Sequence, residues 1–167
     1  MGYVHDTQMA QLIPCTAFHC VTGTYTWTAG TVSGTISKHK ASNSETTVVN
    51  IPIMLPSNAI ALKGAKLTSI EVDYELTGAG ATSVTASMNK ITRGADTVGL
   101  TATDVPVTQD LAAGVAAASQ AKHRLKVTVT TPAWALNTEY YLLVLTIVAS
   151  TAVIELESAV ANYTLRV

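Results

Sequence analysis

Ile70-Glu71-Val72-Asp73-Tyr74-Glu75-Leu76 alternates apolar and acidic residues without a break. Successive side chains of a strand point to opposite faces. This period of two therefore sends Ile70, Val72, Tyr74 and Leu76 into a core and the three carboxylates into water. The alternation extends to a strand over Lys66 to Thr77, which Gly78-Ala79-Gly80 closes. The pattern is not local, because threonine (26), alanine (24) and valine (18) dominate the whole chain. β-branched side chains suit a pleated, half-buried surface better than a helix.

Towards the N-terminus, Thr46 to Leu55 reads as a strand with Val49, Ile51, Ile53 and Leu55 on one face. Pro52 removes a ladder donor there and predicts an edge or a bulge. Tyr25 and Trp27, the pair Ala29-Gly30, then Val32 and Ile36 read as a hairpin with a Gly-containing turn. Lys38 to Ser44 is polar and reads as a loop, and Ala59 to Ala65 as a short turn of helix. Residues 1–20 carry no clean period and contain Pro14, so they are expected to form an extended N-terminal arm lying across a neighbouring subunit.

Towards the C-terminus, Val84, Ala86 and Met88 mark one strand, and Thr97 to Thr108 another that contains Pro106. Gln109 to Lys122 is rich in alanine, but Gly114 interrupts it and no apolar stripe forms. It reads as a surface loop with one helical turn. His123 to Thr131 alternates again. Tyr140 to Ala149 is apolar in both phases, which predicts a core strand covered on both faces. Val153 to Ser158 and Asn162 to Val167 complete the chain. About eight to ten strands with regular turn signals predict an all-β fold, an antiparallel, jelly-roll-like β-sandwich over residues 21–167 behind the arm 1–20.

At 167 residues the chain suits one domain, able to bury roughly 70% of its unfolded surface. Only 13% of residues are charged, against about 25% in an ordinary soluble domain. Hydroxyls can supply surface polarity without charge, or much of the surface can face other subunits, since interface cores are depleted in charge. A net charge of −1 without a basic cluster leaves no footprint for nucleic acid. No apolar run reaches the ~20 residues of a membrane-spanning helix. Met1 to Gln11 lacks the basic-then-apolar layout of a secretory signal, and Asp6 stands where a myristoylation pattern wants Ser or Thr. Neither a nucleic acid nor a membrane is an expected partner.

Candidate chemistry is thin. Cys15, His19 and Cys20 are close in sequence but fall short of a tetrahedral zinc set, even with His5. Reduced thiols are the first expectation, with a short-loop disulfide and a metal site as alternatives. Glu71, Asp73 and Glu75 stand about 7 Å apart along a strand, a spacing that suits calcium or paired acid–base work and equally any solvated strand face. Glu155 and Glu157 repeat it. No Gly-x-Ser-x-Gly elbow is present, and His5, His19, His39 and His123 are scattered in polar contexts. Asn162-Tyr163-Thr164 fits the glycosylation acceptor pattern by chance. Trp27, Trp134, Tyr140 and Tyr141 either build a sugar-stacking platform or pack in the core. No catalytic, cofactor-binding or metal-binding residue is assigned, and no enzyme is expected.

Three segments carry a resemblance: Leu62 to Val72, Thr131-Pro132-Ala133-Trp134 leading into Asn137 to Leu143, and Ala159 to Tyr163. From about residue 45 onward the chain resembles small β-sandwich accessory proteins of tailed phages, of the capsid-decoration or tail-associated type. The resemblance implies a non-enzymatic virion structural subunit, assembled in the host cytoplasm. It implies a homo-oligomer such as a trimer that binds a capsid or tail lattice, with the arm 1–20 and the loop 109–122 as contacts. The alternative is a carbohydrate-binding or adhesin-type module, which calls for an exposed aromatic row or calcium near Glu71, Asp73 and Glu75.

Overall fold

The structure is a computed structural model. It describes residues 5–29, 36–40, 45–56, 64–94, 98–110, 118–149 and 151–166, with backbone only for 36–40 and 149. Two antiparallel sheets face one another. The chain order is β1 (Asp6–Pro14), a 3-10 turn (Cys15–Ala17), β2 (His19–Thr22), β3 (Tyr25–Ala29), β4 (Ile36–Lys40), β5 (Glu45–Ile53) and β6 (Gly64–Thr77). There follow β7 (Ala81–Arg93), β8 (Leu100–Asp104), β9 (Val107–Gln109), β10 (Lys122–Val129), β11 (Glu139–Ala149) and β12 (Val153–Arg166).

The larger sheet runs β3-β4-β12-β6-β10-β9, with β1 also paired to β12, and the five-stranded sheet runs β2-β5-β11-β7-β8. The chain crosses repeatedly between the two, which makes the sandwich jelly-roll-like, as expected. The inward phase of β6 (Leu67, Ile70, Val72, Tyr74 and Leu76) packs against Ile51, Met88, Leu143 and Leu145 of the opposite sheet, all essentially inaccessible. Burying each such side chain stabilises the fold by about 1.5–3 kcal/mol.

Several expectations are corrected. Residues 6–20 are not a separate arm: β1 pairs with β12 in register from Asp6↔Arg166 to Pro14↔Ser158. Ile13, Cys15 and Phe18 are buried in the common core, so the boundary at residue 20 has no counterpart. The polar stretch expected as a loop from Lys38 begins as strand β4, held by β3 and β12. Pro106 splits the strand expected over Thr97 to Thr108 into β8 and β9, one in each sheet; without an N–H, proline cannot continue a ladder. The two C-terminal strands are one, β12, whose register shifts at Leu156/Ser158 and again at Asn162/Tyr163. Pro52 lies beyond Asn50, opposite which β2 begins, so β5 is locally an edge there. The expected helical turn at 59–65 and the alanine-rich stretch of 109–122 lie largely outside the described residues.

Gly23 joins β2 to β3 with φ +89, and a Cβ there would collide with Cγ2 of Thr47. Thr47 is itself buried, donating to the Ile147 carbonyl at 3.3 Å and facing the Tyr25 hydroxyl at 3.5 Å.

Candidate functional site

The acidic row of β6 is the first candidate, and the structure fills it. Lys122, Arg124 and Lys126 of β10 stand in register opposite Glu75, Asp73 and Glu71. Arg124 donates to both Asp73 oxygens, from Nε at 2.7 Å and from Nη2 at 3.1 Å. Lys122 lies 3.6 Å from Glu75 and 3.6 Å from Glu157, and Lys126 lies 4.0 Å from Glu71. Glu157 enters this group because the β12 register shifts beside it. Paired in this way, the carboxylates form a ladder of cross-strand ion pairs rather than an open oxygen cage.

Cys15, His19 and Cys20 are not brought together. Cys15 is buried, His19 is exposed on the outside of β2, and the Cys20 thiol donates to the carbonyls of Thr22 and Gly23 at 3.0 and 3.2 Å. The two cysteines are not joined in a disulfide. No group of three or more His, Cys, Asp or Glu fit to hold a metal ion is found among the described residues. Of the histidines, His123 stacks on Tyr74 with ring centroids 5.1 Å apart, and His39 is described by its backbone alone. The Asn162 amide donates to Ser69 Oγ at 3.3 Å and to Glu71 at 3.4 Å, within a paired strand, so its acceptor pattern is engaged in the sheet.

The four aromatics also part company. Trp27 is 50% exposed on β3 at the rim of the larger sheet. Trp134 bridges to Lys66, whose Nζ lies 4.8 Å from its ring centroid, and Arg166 lies 4.4 Å from the same ring. Tyr141 points inward, its hydroxyl donating to the Ala133 carbonyl at 3.1 Å, and burial pushes its phenol up to about 12. Only Tyr140 stands on an open sheet face. No aromatic row forms among the described residues.

The surface that sequence reasoning missed is the outside of the five-stranded sheet. β11 was expected to be covered on both faces, but only the phase of Tyr141, Leu143, Leu145 and Ile147 is buried. The other phase, Tyr140, Leu142, Val144, Thr146 and Val148, remains half-exposed down the middle of the sheet. Leu142 stands between Pro52 and Asn89, and Val144 between Asn50 and Ser87. Thr85, in register with Thr146, adds a hydroxyl. The amides of Asn50 and Asn89 make no side-chain hydrogen bond to another described residue. No outward position of β11, or of β5 from Thr46 to Pro52, is charged; Arg93 and Asp104 stand at the rim. An aliphatic strip flanked by uncommitted amides and hydroxyls results. The signal in the sequence was Leu142-Leu143-Val144-Leu145, apolar in both phases, and it did not say which phase would stay open.

A second feature lies where the sheets part. Glu139, with its side chain 7% exposed, pairs with the Lys90 ammonium at 2.9 Å. It also accepts from the Leu136 N–H at 2.9 Å and the Thr92 hydroxyl at 3.5 Å. Burial alone would raise this carboxyl; the three donors outweigh it and hold the group below its ordinary range.

No protein-family model and no curated protein matches the sequence. Among solved structures, the chain is similar to a family two carbohydrate esterase from Cellvibrio japonicus, at 5% identity and a TM-score of 0.46 over 98% of this chain and 36% of that one. It is similar to the CBM22-1 xylan-binding domain from Paenibacillus barcinonensis, at 12% identity and a TM-score of 0.46 over 91% of this chain and 92% of that one. It is also similar to the CBM22-1–GH10 modules of a Clostridium thermocellum endo-1,4-beta-D-xylanase, at 12% identity and a TM-score of 0.46 over 89% and 26%. The chain thus spans well under half the length of the esterase and of the xylanase. Likenesses of this strength describe the β-sandwich alone.

The expectation of a virion accessory subunit is corrected here. The neighbours found are carbohydrate esterase and xylan-binding sandwiches, not virion accessory subunits. Of the two segments expected to make lattice contacts, residues 6–20 are built into the two sheets, and residues 111–117 lie outside the described part of the chain.

Proposed function

We propose that the chain is a non-catalytic β-sandwich module that binds neutral polysaccharide on the outer face of its five-stranded sheet. One observation carries the reading: the half-exposed phase of β11, with Asn50 and Asn89 on either side and no charge among the outward positions of β11 and of β5 from Thr46 to Pro52. A sugar ring offers apolar C–H faces and a rim of hydroxyls. Tyr140 and Leu142 match the first, and uncommitted amides match the second, since orienting polar groups set in an apolar surface are the ordinary make-up of a ligand site. Uncharged ligands suit this face, because no cation stands among the outward positions of β11 or of β5 from Thr46 to Pro52 and Arg93 lies only at the rim.

The test is titration calorimetry against soluble xylan, glucan and mannan, with an acidic polysaccharide as control. A neutral chain should bind, and Tyr140→Ala should weaken binding about tenfold, the equivalent of ~1.4 kcal/mol for one lost stacking contact. Binding that is unaffected by Tyr140→Ala and Asn89→Ala would place the ligand elsewhere and sink the reading. The same uncharged strip supports a second reading, a homo-oligomer joined through this face, as depletion of charge marks interface cores. A stable oligomer that Val144→Lys dissociates would favour it.

A further inference from the structure

Beside the proposed binding face the two sheets separate into a cleft of about 180 Å³ between β7, the β8–β9 corner and the segment from β10 to β11. Its polar lining is Lys90, Thr103, Asp104 and Thr131, and Val105, Pro106 and the Tyr141 ring contribute apolar wall. Lys90 is the unexpected residue. It occupies the inward phase of β7, two positions from buried Met88, where an ammonium is costly unless paired. Glu139 pairs with it. An ammonium carries three donors, and no other described side chain takes the remaining ones. Cation donors, hydroxyls and one carboxylate facing an apolar wall suit a polyol ring, whose hydroxyls both donate and accept. The volume limits the ligand further, because sites for larger ligands run to roughly 300–1,000 Å³. The cleft holds one ring, not a run of them. It also adjoins the outer face, since Asp104 is the register partner of Asn89.

We infer that this cleft is a subsite for the terminal sugar of a neutral polysaccharide, so that the module engages chain ends while the following units lie along the face. The inference rests on the reading above and deepens it. It predicts that partial hydrolysis of a bound polysaccharide, at equal mass, raises the molar amount of protein bound in proportion to the new ends. Thr131→Trp, at an exposed position outside the strands, should fill the cleft mouth and weaken end binding at least tenfold with the melting temperature unchanged. Should that variant melt early, Thr103→Trp, on the exposed edge strand β8, serves in its place. If capacity follows mass rather than ends, and the tryptophan variants bind as the parent does, the chain-end subsite is wrong while the face reading stands. If no neutral polysaccharide binds, intact or cut, both fail.

Discussion

Glu139 shows what one residue contributes in this fold. Its carboxylate draws three donors from separate places: the Lys90 ammonium, the Thr92 hydroxyl and the Leu136 N–H. These hold together the two strands that meet at the mouth of the cleft. Charged hydrogen bonds of this kind are worth about 1.5–3 kcal/mol each when one partner is removed. Glu139→Gln should therefore lower stability by about 2 kcal/mol at pH 7, a fall of roughly 4–8 °C in melting temperature for a chain of this size. The pH dependence has a definite sign. A carboxyl held below its ordinary value in the folded state stabilises the protein above the unfolded value, near 4.5, and that contribution fades as pH falls through the folded value. The melting-temperature gap between parent and Glu139→Gln should thus close between pH 5 and acid conditions. A gap that widens on acidification would contradict the assignment. At Gly23 the limit is steric, since φ is +89 and a Cβ meets Thr47. Gly23→Ala should cost about 1–3 kcal/mol, read as a shift in the denaturation midpoint.

At the scale of elements, β1 and β11 show where the sequence was legible and where it was not. β6 declared itself because its outward residues are charged and its inward ones are not, so pattern and burial coincide. β1 offered no such contrast: Asp6 to Ala10 is exposed in both phases, and only Ile13 reaches the core. Its place comes from nine paired residues along β12, a long-range ladder that no local pattern records. β11 erred the other way, as two apolar phases looked like two covered faces. The inward Lys90 on β7 was equally hidden, because its partner Glu139 lies 49 positions on. A deletion separates a detachable N-terminal arm from the paired strand observed. Removing residues 2–20 strips β1, half of β2 and the buried Ile13, Cys15 and Phe18. At about 2–5 kcal/mol for each large buried side chain, this approaches the whole stability of a domain. The truncated chain should show no cooperative thermal transition. A folded truncation, with a dispersed amide spectrum, would restore the detachable arm.

Over the whole molecule, the sandwich presents two unlike outer faces. On the larger sheet Lys122, Arg124 and Lys126 satisfy Glu71, Asp73, Glu75 and Glu157. That face spends its charges on itself. On the other, the outward positions of β11, and of β5 from Thr46 to Pro52, carry no charge, and Asn50 and Asn89 keep their hydrogen-bonding capacity. The asymmetry predicts how binding responds to salt. Raising the salt from 0.1 to 1 M shortens the screening length from about 10 to about 3 Å, which weakens any interaction between exposed charges. Ring stacking and amide hydrogen bonds contain no such interaction. Polysaccharide affinity should then change less than about twofold across that range, while Val144→Asp, at the centre of the uncharged face, should abolish it. Arg124→Gln, which breaks the middle rung of the ladder, should leave affinity unchanged and the melting temperature nearly so, because exposed ion pairs contribute little. Steep loss of affinity with salt, or sensitivity to Arg124→Gln but not to Val144→Asp, would move the binding surface to the charged sheet.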